Sequence, residues 1–249
     1  MENTMERWYN AIKNRTSIRK YTSSADQSEY KRLKEAARYF STDEVRIVVG
    51  RKEGALSPLI GRSVSGTDTF AAILCCDKEL EYMVGMVGES FVLECASMGL
   101  GTCWLGLSYN RSAVNSCIKY SSDKEKLRCV IAFGHYDEQP DKKRMRKTIS
   151  NLTGLSDGDF KKLPEWQQTA VQCGRLAPSA LNAQPWEFDI LSDKSMQVAN
   201  ISKNFGYGEI DVGIAMLHIE VGAAHCGVYG DWEVSDGLPL FTVDDSIEV

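Results

Sequence analysis

Residues 83–104 read MVGMVGESFVLECASMGLGTCW, and residues 211–232 read DVGIAMLHIEVGAAHCGVYGDW. Laid over one another at an offset of 128 residues (211 − 83), they share Val84/Val212, Gly85/Gly213, Ala96/Ala224, Gly99/Gly227 and Trp104/Trp232, with no gap. Each begins as a run apolar on nearly every side, the pattern of a helix buried between layers. Helices are expected at about 82–98 and 210–226, with Gly99 and Gly227 where a C′ glycine ends a helix. Extended segments then follow, TCWLGL in one copy and YGDWEV in the other. The chain contains its own image.

Outward from these helices each half follows one plan. In the first, an amphipathic helix (about Gln27 to Arg38) precedes a strand at Val45–Val49. A second apolar run, Phe70–Cys76, leads to the buried helix, then to a short helix near Ser112–Tyr120 and a strand at Cys129–Phe133. In the second, a helix (about Pro164 to Arg175) precedes the strand Glu187–Leu191 and its buried helix. The expected architecture is α+β: two related halves, 1–155 and 156–249, with pseudo-two-fold symmetry and sheets flanked by helices around the long buried ones. The halves differ between helix and strand. Arg38 to Ile47 is nine positions and Arg175 to Ile190 fifteen, the excess lying in LAPSALNAQPW. A loop kept in one copy suits an asymmetric function, or is simply a longer surface loop.

The 249 residues are 43% hydrophobic and 25% charged with net charge −5, which suits a folded core and argues against a basic nucleic-acid-binding face. No apolar run approaches the ~18 residues of a membrane span, and the polar start MENTMERWYN lacks the apolar stretch of an export signal. The eight cysteines form no CxxC pair and the three histidines no HExxH, so the expectation is reduced thiols, no metal site and a cytoplasmic protein. No Ser-His-Asp set, paired carboxylates or GxGxxG stand out, and no catalytic side chain is assigned.

Three segments taken together resemble the nitroreductase family of FMN-dependent oxidoreductases: Arg15-Thr-Ser-Ile-Arg19, Gly99-Leu-Gly-Thr-Cys-Trp-Leu-Gly106 and Ala177-Pro-Ser-Ala-Leu-Asn-Ala-Gln-Pro-Trp186. A fourth, Arg144-Met-Arg146, follows the last strand of the first half. The family usually carries the APS segment soon after RxSxR, whereas here it stands only in the second half. The chain is similar to a subgroup in which two such halves are fused. The resemblance implies one FMN per chain, with NADH or NADPH as transient donor and a nitroaromatic, quinone or similar small electron acceptor. A different reductive chemistry such as dehalogenation, or a flavin-binding fold without turnover, stays open, as does a monomeric pseudo-dimer against a homo-oligomer.

The resemblance also assigns cofactor contacts. Arg15, Ser17 and Arg19 would anchor the flavin phosphate, a dianion suited to guanidinium forks and a hydroxyl, joined by Arg144 and Arg146. Without the resemblance, both basic runs fit solvated surface charge. Pro178, Ser179 and Ala180 would line the flavin from the second half, with Asn182 and Gln184 holding the loop through side-chain bonds to backbone. Leu105, Gly106 and Leu107 would bring backbone close to the flavin ring. Trp104, Cys103 and Trp186 are expected to be packing residues, and the Gly-rich loop at 50–66 the rim of the substrate space.

Overall fold

The computed structural model describes residues 4–57, 64–137 and 145–244. The chain forms two compact units, one of Asn14–Lys143 and one that joins Met1–Lys13 to Arg144–Val249. Residues 1–13 and 144–155, in the expected first half, thus belong to the unit of the second.

Helix α1 (Thr4–Asn14) belongs to the second unit, with Trp8, Ala11 and Ile12 buried and the half-buried Glu6 and Tyr9 in contact with His225. The Tyr9 ring stacks on His225 at 3.5 Å, and His225 Nδ1 donates to Glu6 Oε2 at 2.7 Å. In the Asn14–Lys143 unit, α2 (Gln27–Phe40) starts at a capping box in which Asp26 and Glu29 each accept the other's backbone N–H at 2.8 Å. Strands β1 (Val45–Arg51) and β2 (Thr69–Cys75) lead into α3 (Glu81–Ser97), β3 (Gly101–Leu105), the short α4 (Arg111–Asn115) and β4 (Lys126–Gly134). The sheet is antiparallel throughout with order β1-β2-β4-β3. Its central strand β2 is buried at every position, which is why it reads as an unbroken apolar run rather than an alternation.

The other unit continues with α5 (Ile149–Thr153), α6 (Asp157–Phe160) and α7 (Glu165–Leu176). Then come β5 (Trp186–Ser192), β6 (Ser195–Asn200), α8 (Gly208–His225), β7 (Gly230–Ser235) and β8 (Leu238–Val243). This sheet is also antiparallel, in order β5-β6-β8-β7. Numbered within its own unit, each sheet runs 1-2-4-3, with the long apolar helix between its second and third strands. The repeat is one of topology as well as sequence.

The ends of the two long helices show how closely the local structure recurs. Leu100 N donates to Cys95 O and Gly99 N to Ala96 O, each at 3.0 Å, a Schellman closure with Gly99 at φ 80°. Val228 N to Ala223 O and Gly227 N to Ala224 O repeat it at 3.0 Å, with Gly227 at φ 75°. All four pairs of positions, 95/223, 96/224, 99/227 and 100/228, are related by the 128-residue offset of the sequence repeat (228 − 100). The expected short helix at 112–120 is confined to Arg111–Asn115. Strands β6 and β8 add to the elements expected from sequence; β8 is reached through the Asp236-Gly237 turn, at φ 52° and 75°. Among the described residues no helix is long and apolar enough to cross a membrane.

Helices α7 and α8 approach each other through glycine. A Cβ on Gly222 would stand 2.8 Å from Ala170 Cα and 3.0 Å from Thr169 O, both backbone atoms with little room to yield. Gly222→Val is therefore expected to destabilise this unit by about 1–3 kcal/mol through overpacking. The check is the urea midpoint beside that of Gly158→Ala, where the added carbon meets nothing nearer than Ser156 Oγ at 3.7 Å.

Candidate functional site

In the Asn14–Lys143 unit, β3 is a sheet edge, and its free backbone groups are covered by an extended segment running through the RTSIR motif. Ile18 N donates to Thr102 O at 2.8 Å, Tyr21 N to Ser65 O at 2.9 Å and Ser65 N to Arg19 O at 3.0 Å. Ile18 is buried while Arg15, Ser17 and Arg19 are half-buried, so the alternation of an extended chain separates the apolar anchor from the three polar side chains. Arg15 Nε is sealed from solvent with no hydrogen-bond partner. Burial pulls this guanidinium below its ordinary value, and the charge of Glu89 opposes the shift. Glu89 is itself fully buried on α3 and accepts the Trp104 indole N–H at 2.7 Å. An arginine here keeps its proton, so the cost falls on an unsatisfied buried donor.

Leu105 closes β3 with its side chain in the core. Gly106 is half-buried in the bend that follows, and Leu107 is exposed. Cys103 is buried as expected, and Trp104 packs over Gly88. Of the Gly-rich loop, residues 58–63 lie outside the described residues, as does Arg144.

In the other unit the 177–184 loop leaves α7 and folds on itself. Leu181, Asn182 and Gln184 all have left-handed backbones, at φ 54°, 59° and 50°. Such conformations persist only where surroundings over-determine them, and they concentrate at functional sites. Ser179 Oγ accepts Gln184 N–H at 2.9 Å, which leaves its hydroxyl proton free to be donated elsewhere. Asn182 Nδ2 donates to Met145 O at 3.0 Å, and Gln184 Oε1 accepts Lys147 N–H at 2.8 Å. These are the loop-holding bonds that the sequence suggested for the two amides. Arg146 spends its guanidinium on the same loop: Nη1 donates to Ala177 O at 2.8 Å and Asn182 Oδ1 at 3.1 Å, and Nη2 to Leu176 O at 2.9 Å. It thereby satisfies carbonyls at the C-terminal end of α7, where a cation is favoured.

A second loop is locked to the first. Ala180 N donates to Asp211 Oδ1 at 2.9 Å, and Asn204 Nδ2 donates to both Ala180 O at 3.0 Å and the other Asp211 oxygen. Asn204 and Phe205 are again left-handed, at φ 38° and 57°. Among the described residues, no group of three or more His, Cys, Asp or Glu side chains is arranged to hold a metal ion.

A family model described as "Putative TM nitroreductase" matches residues 7–223. The chain belongs to the nitroreductase family. A "putative nitroreductase" from Thermotoga maritima MSB8 shares its fold, with a TM-score of 0.66 at 18% identity over 95% of this chain and 93% of that one. An FMN-dependent nitroreductase from Clostridium difficile R20291 aligns at TM-score 0.43 and 17% identity over 62% of this chain and 96% of its own. No curated protein matches the sequence. The α+β architecture, with its two four-stranded antiparallel sheets, is thus a nitroreductase-like fold.

Asn204, Phe205, Asp211 and Glu89 escaped the sequence reading of this nitroreductase-family chain. The available signal was a carboxylate inside each all-apolar helix. Such a group stays buried only if something on the far side of the fold satisfies it. Burial pushes Asp211 up to about 6, against the pull of the Ala180 and Asn204 hydrogen bonds. The folded chain therefore holds this proton more tightly than the unfolded chain. The resulting stabilisation is complete below the unfolded value near ~4 and is lost as pH rises through the folded one. The stability of wild type relative to Asp211→Asn should fall by on the order of 2–3 kcal/mol between about pH 4 and pH 6.5. Paired urea titrations across that range measure it. Glu220, pushed up to about 7 by burial, titrates in both proteins and cancels from the difference.

Proposed function

We propose that the chain is an FMN-dependent oxidoreductase that takes hydride from NADH or NADPH and reduces a nitroaromatic, quinone or similar small acceptor. Family membership supports an oxidoreductase. The observation that carries the cofactor assignment is Arg15, a cation whose buried Nε lacks an acceptor, on one extended face with Ser17 and Arg19. A phosphate dianion supplies the missing acceptor and offsets the cost of burying the charge. FMN, when bound, supplies a ring that accepts hydride from one substrate and delivers it to another.

The residues of the chain bind and orient. Arg15, Ser17 and Arg19 hold the phosphate. Pro178, Ser179 and Ala180 present a fixed backbone and one spare hydroxyl proton to the polar edge of the ring, and the Leu105–Leu107 backbone approaches it at Gly106. Arg146, Asn182 and Gln184 keep the Ser179 loop in shape. RTSIR and APSALNAQPW each occur once, so one chain carries one set of contacts and binds one flavin.

Purified protein is expected to show flavin bands near ~450 and ~370 nm that bleach with NADH or NADPH in the absence of oxygen. Apoprotein should saturate at one FMN per chain. Each guanidinium contact contributes about 1.5–3 kcal/mol, so Arg15→Ala with Arg19→Ala should release the flavin during purification. Protein that takes up no FMN, or a double variant with unchanged affinity, overturns the assignment.

A further inference from the structure

We propose that Asp211 and Asn204 are positioning residues for the flavin: Asp211, in its charged form, and Asn204 together hold the Ala180 backbone that sets Ser179 against the cofactor. The proposal rests on the FMN reading above and adds two residues and a charge state to its site. Asp211 stands buried in the first turn of α8. Its Oδ1 accepts Ala180 N–H at 2.9 Å, and its Oδ2 accepts from Asn204 Nδ2, which also donates to Ala180 O at 3.0 Å. One carboxylate and one amide thus grip the peptide groups on both sides of Ala180. Ser179 leads into this grip, and Leu181 and Asn182 leave it with left-handed backbones, at φ 54° and 59°.

Counting donors shows why the charge matters. Asn204 Nδ2 carries two hydrogens and spends them on Ala180 O and Asp211 Oδ2. Both Asp211 oxygens therefore face donors, which suits an ionised side chain that only accepts. A proton on Oδ1 would confront Ala180 N–H, and one on Oδ2 the Asn204 amide. Turning that amide over relieves the second conflict but points its oxygen at Ala180 O, and that half of the grip is lost. The amide of Asp211→Asn meets the same conflict, so the variant copies the protonated state at every pH. The shift of Asp211 to about 6 comes from burial, opposed by these hydrogen bonds, with no charged group among its causes. On the elements around it, β6 carries no charge, Arg175 of α7 donates to Lys147 O, Arg146 to the loop, and Lys203 is exposed. Glu209 and Glu220 share its helix. Rising pH thus closes the grip while the buried charge lowers stability, and the two effects run in opposite directions.

The test titrates the full-length apoprotein with FMN, read by flavin fluorescence, at about pH 8 and about pH 5. In Asp211→Asn the dissociation constant should lie about tenfold above wild type at the higher pH and within about twofold of it at the lower. The second ionisation of the flavin phosphate and that of Glu220 occur in both proteins and cancel from the ratio. A merely structural role predicts the reverse trend or none, because the stability of wild type relative to the variant falls as pH rises. Asn204→Gly, at ease at φ 38°, should weaken FMN binding to a similar degree at the higher pH. Its loss should not add to that of Asp211→Asn, since either change opens the same grip. Without flavin, amide exchange over residues 179–184 should be slower in wild type than in Asp211→Asn at the higher pH, with the difference closing at the lower. A ratio of dissociation constants that ignores pH, or losses that add, overturns the proposal. Wild-type protein that takes up no FMN overturns the functional reading and this proposal with it. The exchange measurement needs no flavin, so it shows whether the grip itself exists and separates the two failures.

Discussion

A helix that is apolar on every side must be covered on every side, and this constraint organises both units. Helix α3 buries residues around its whole circumference, as does α8. In each unit a four-stranded sheet and an amphipathic helix supply much of that cover, α2 for one and α7 for the other. The close approach of α7 and α8 requires glycine at Gly222 and Gly174, where an added carbon would meet backbone or the Phe188 ring. Where the helix of the other unit carries Glu94, its partner α2 supplies Arg32 at 3.1 Å. One scaffold thus accepts two solutions at its central interface, close backbone contact in one copy and a charge pair in the other.

Polar groups inside such helices are where the fold gives up stability. Glu89 stands fully buried against Trp104 and near the Arg15 guanidinium, and Asp211 buried beneath two loops with left-handed backbones. In each case the carboxylate lies next to residues that the family resemblance marks for cofactor contact. The loops are over-determined by hydrogen bonds from Arg146, Asn182, Gln184 and Asn204, which hold an unfavourable backbone in one shape. Rigid, costly loops on a well-packed scaffold suit a protein whose reaction is carried by a bound ring and whose own task is placement.

The long helices, their glycine stops and most strands were legible because each rests on a local signal, whether periodicity, a C′ glycine or an apolar run. The repeat was legible because the Schellman closures need glycine at one fixed place in both copies. Strand β6, with the polar sequence SMQVAN, carries no such signal, and β8 hides behind Pro239 in LPLFTV, although Asp236-Gly237 announces a hairpin. Of helix α1 the sequence showed only that its start is too polar for an export signal, and its attachment to His225 is a contact across more than two hundred residues that no window can contain. Of the site, the loop-holding role of Asn182 and Gln184 was readable from residue type. The grip of Asp211 on Ala180 was not, because it joins two segments through a helix whose pattern is uniformly apolar.

The attachment of α1 has a consequence for how the chain is assembled. Residues Asn14–Lys143 form a contiguous unit, while the other unit is built from both flanks of it. A ribosome delivers α1 before the inner unit, yet its stacking partner His225 emerges only after that whole unit has been made. The inner unit can therefore condense from local sequence while α1 waits with its apolar face unpaired. Closing the outer unit then joins segments more than two hundred residues apart, the kind of long-range pairing that slows folding and leaves apolar surface open to misassembly. Topology alone gives this molecule an order of completion, in which α1 is made before the inner unit and docks after it.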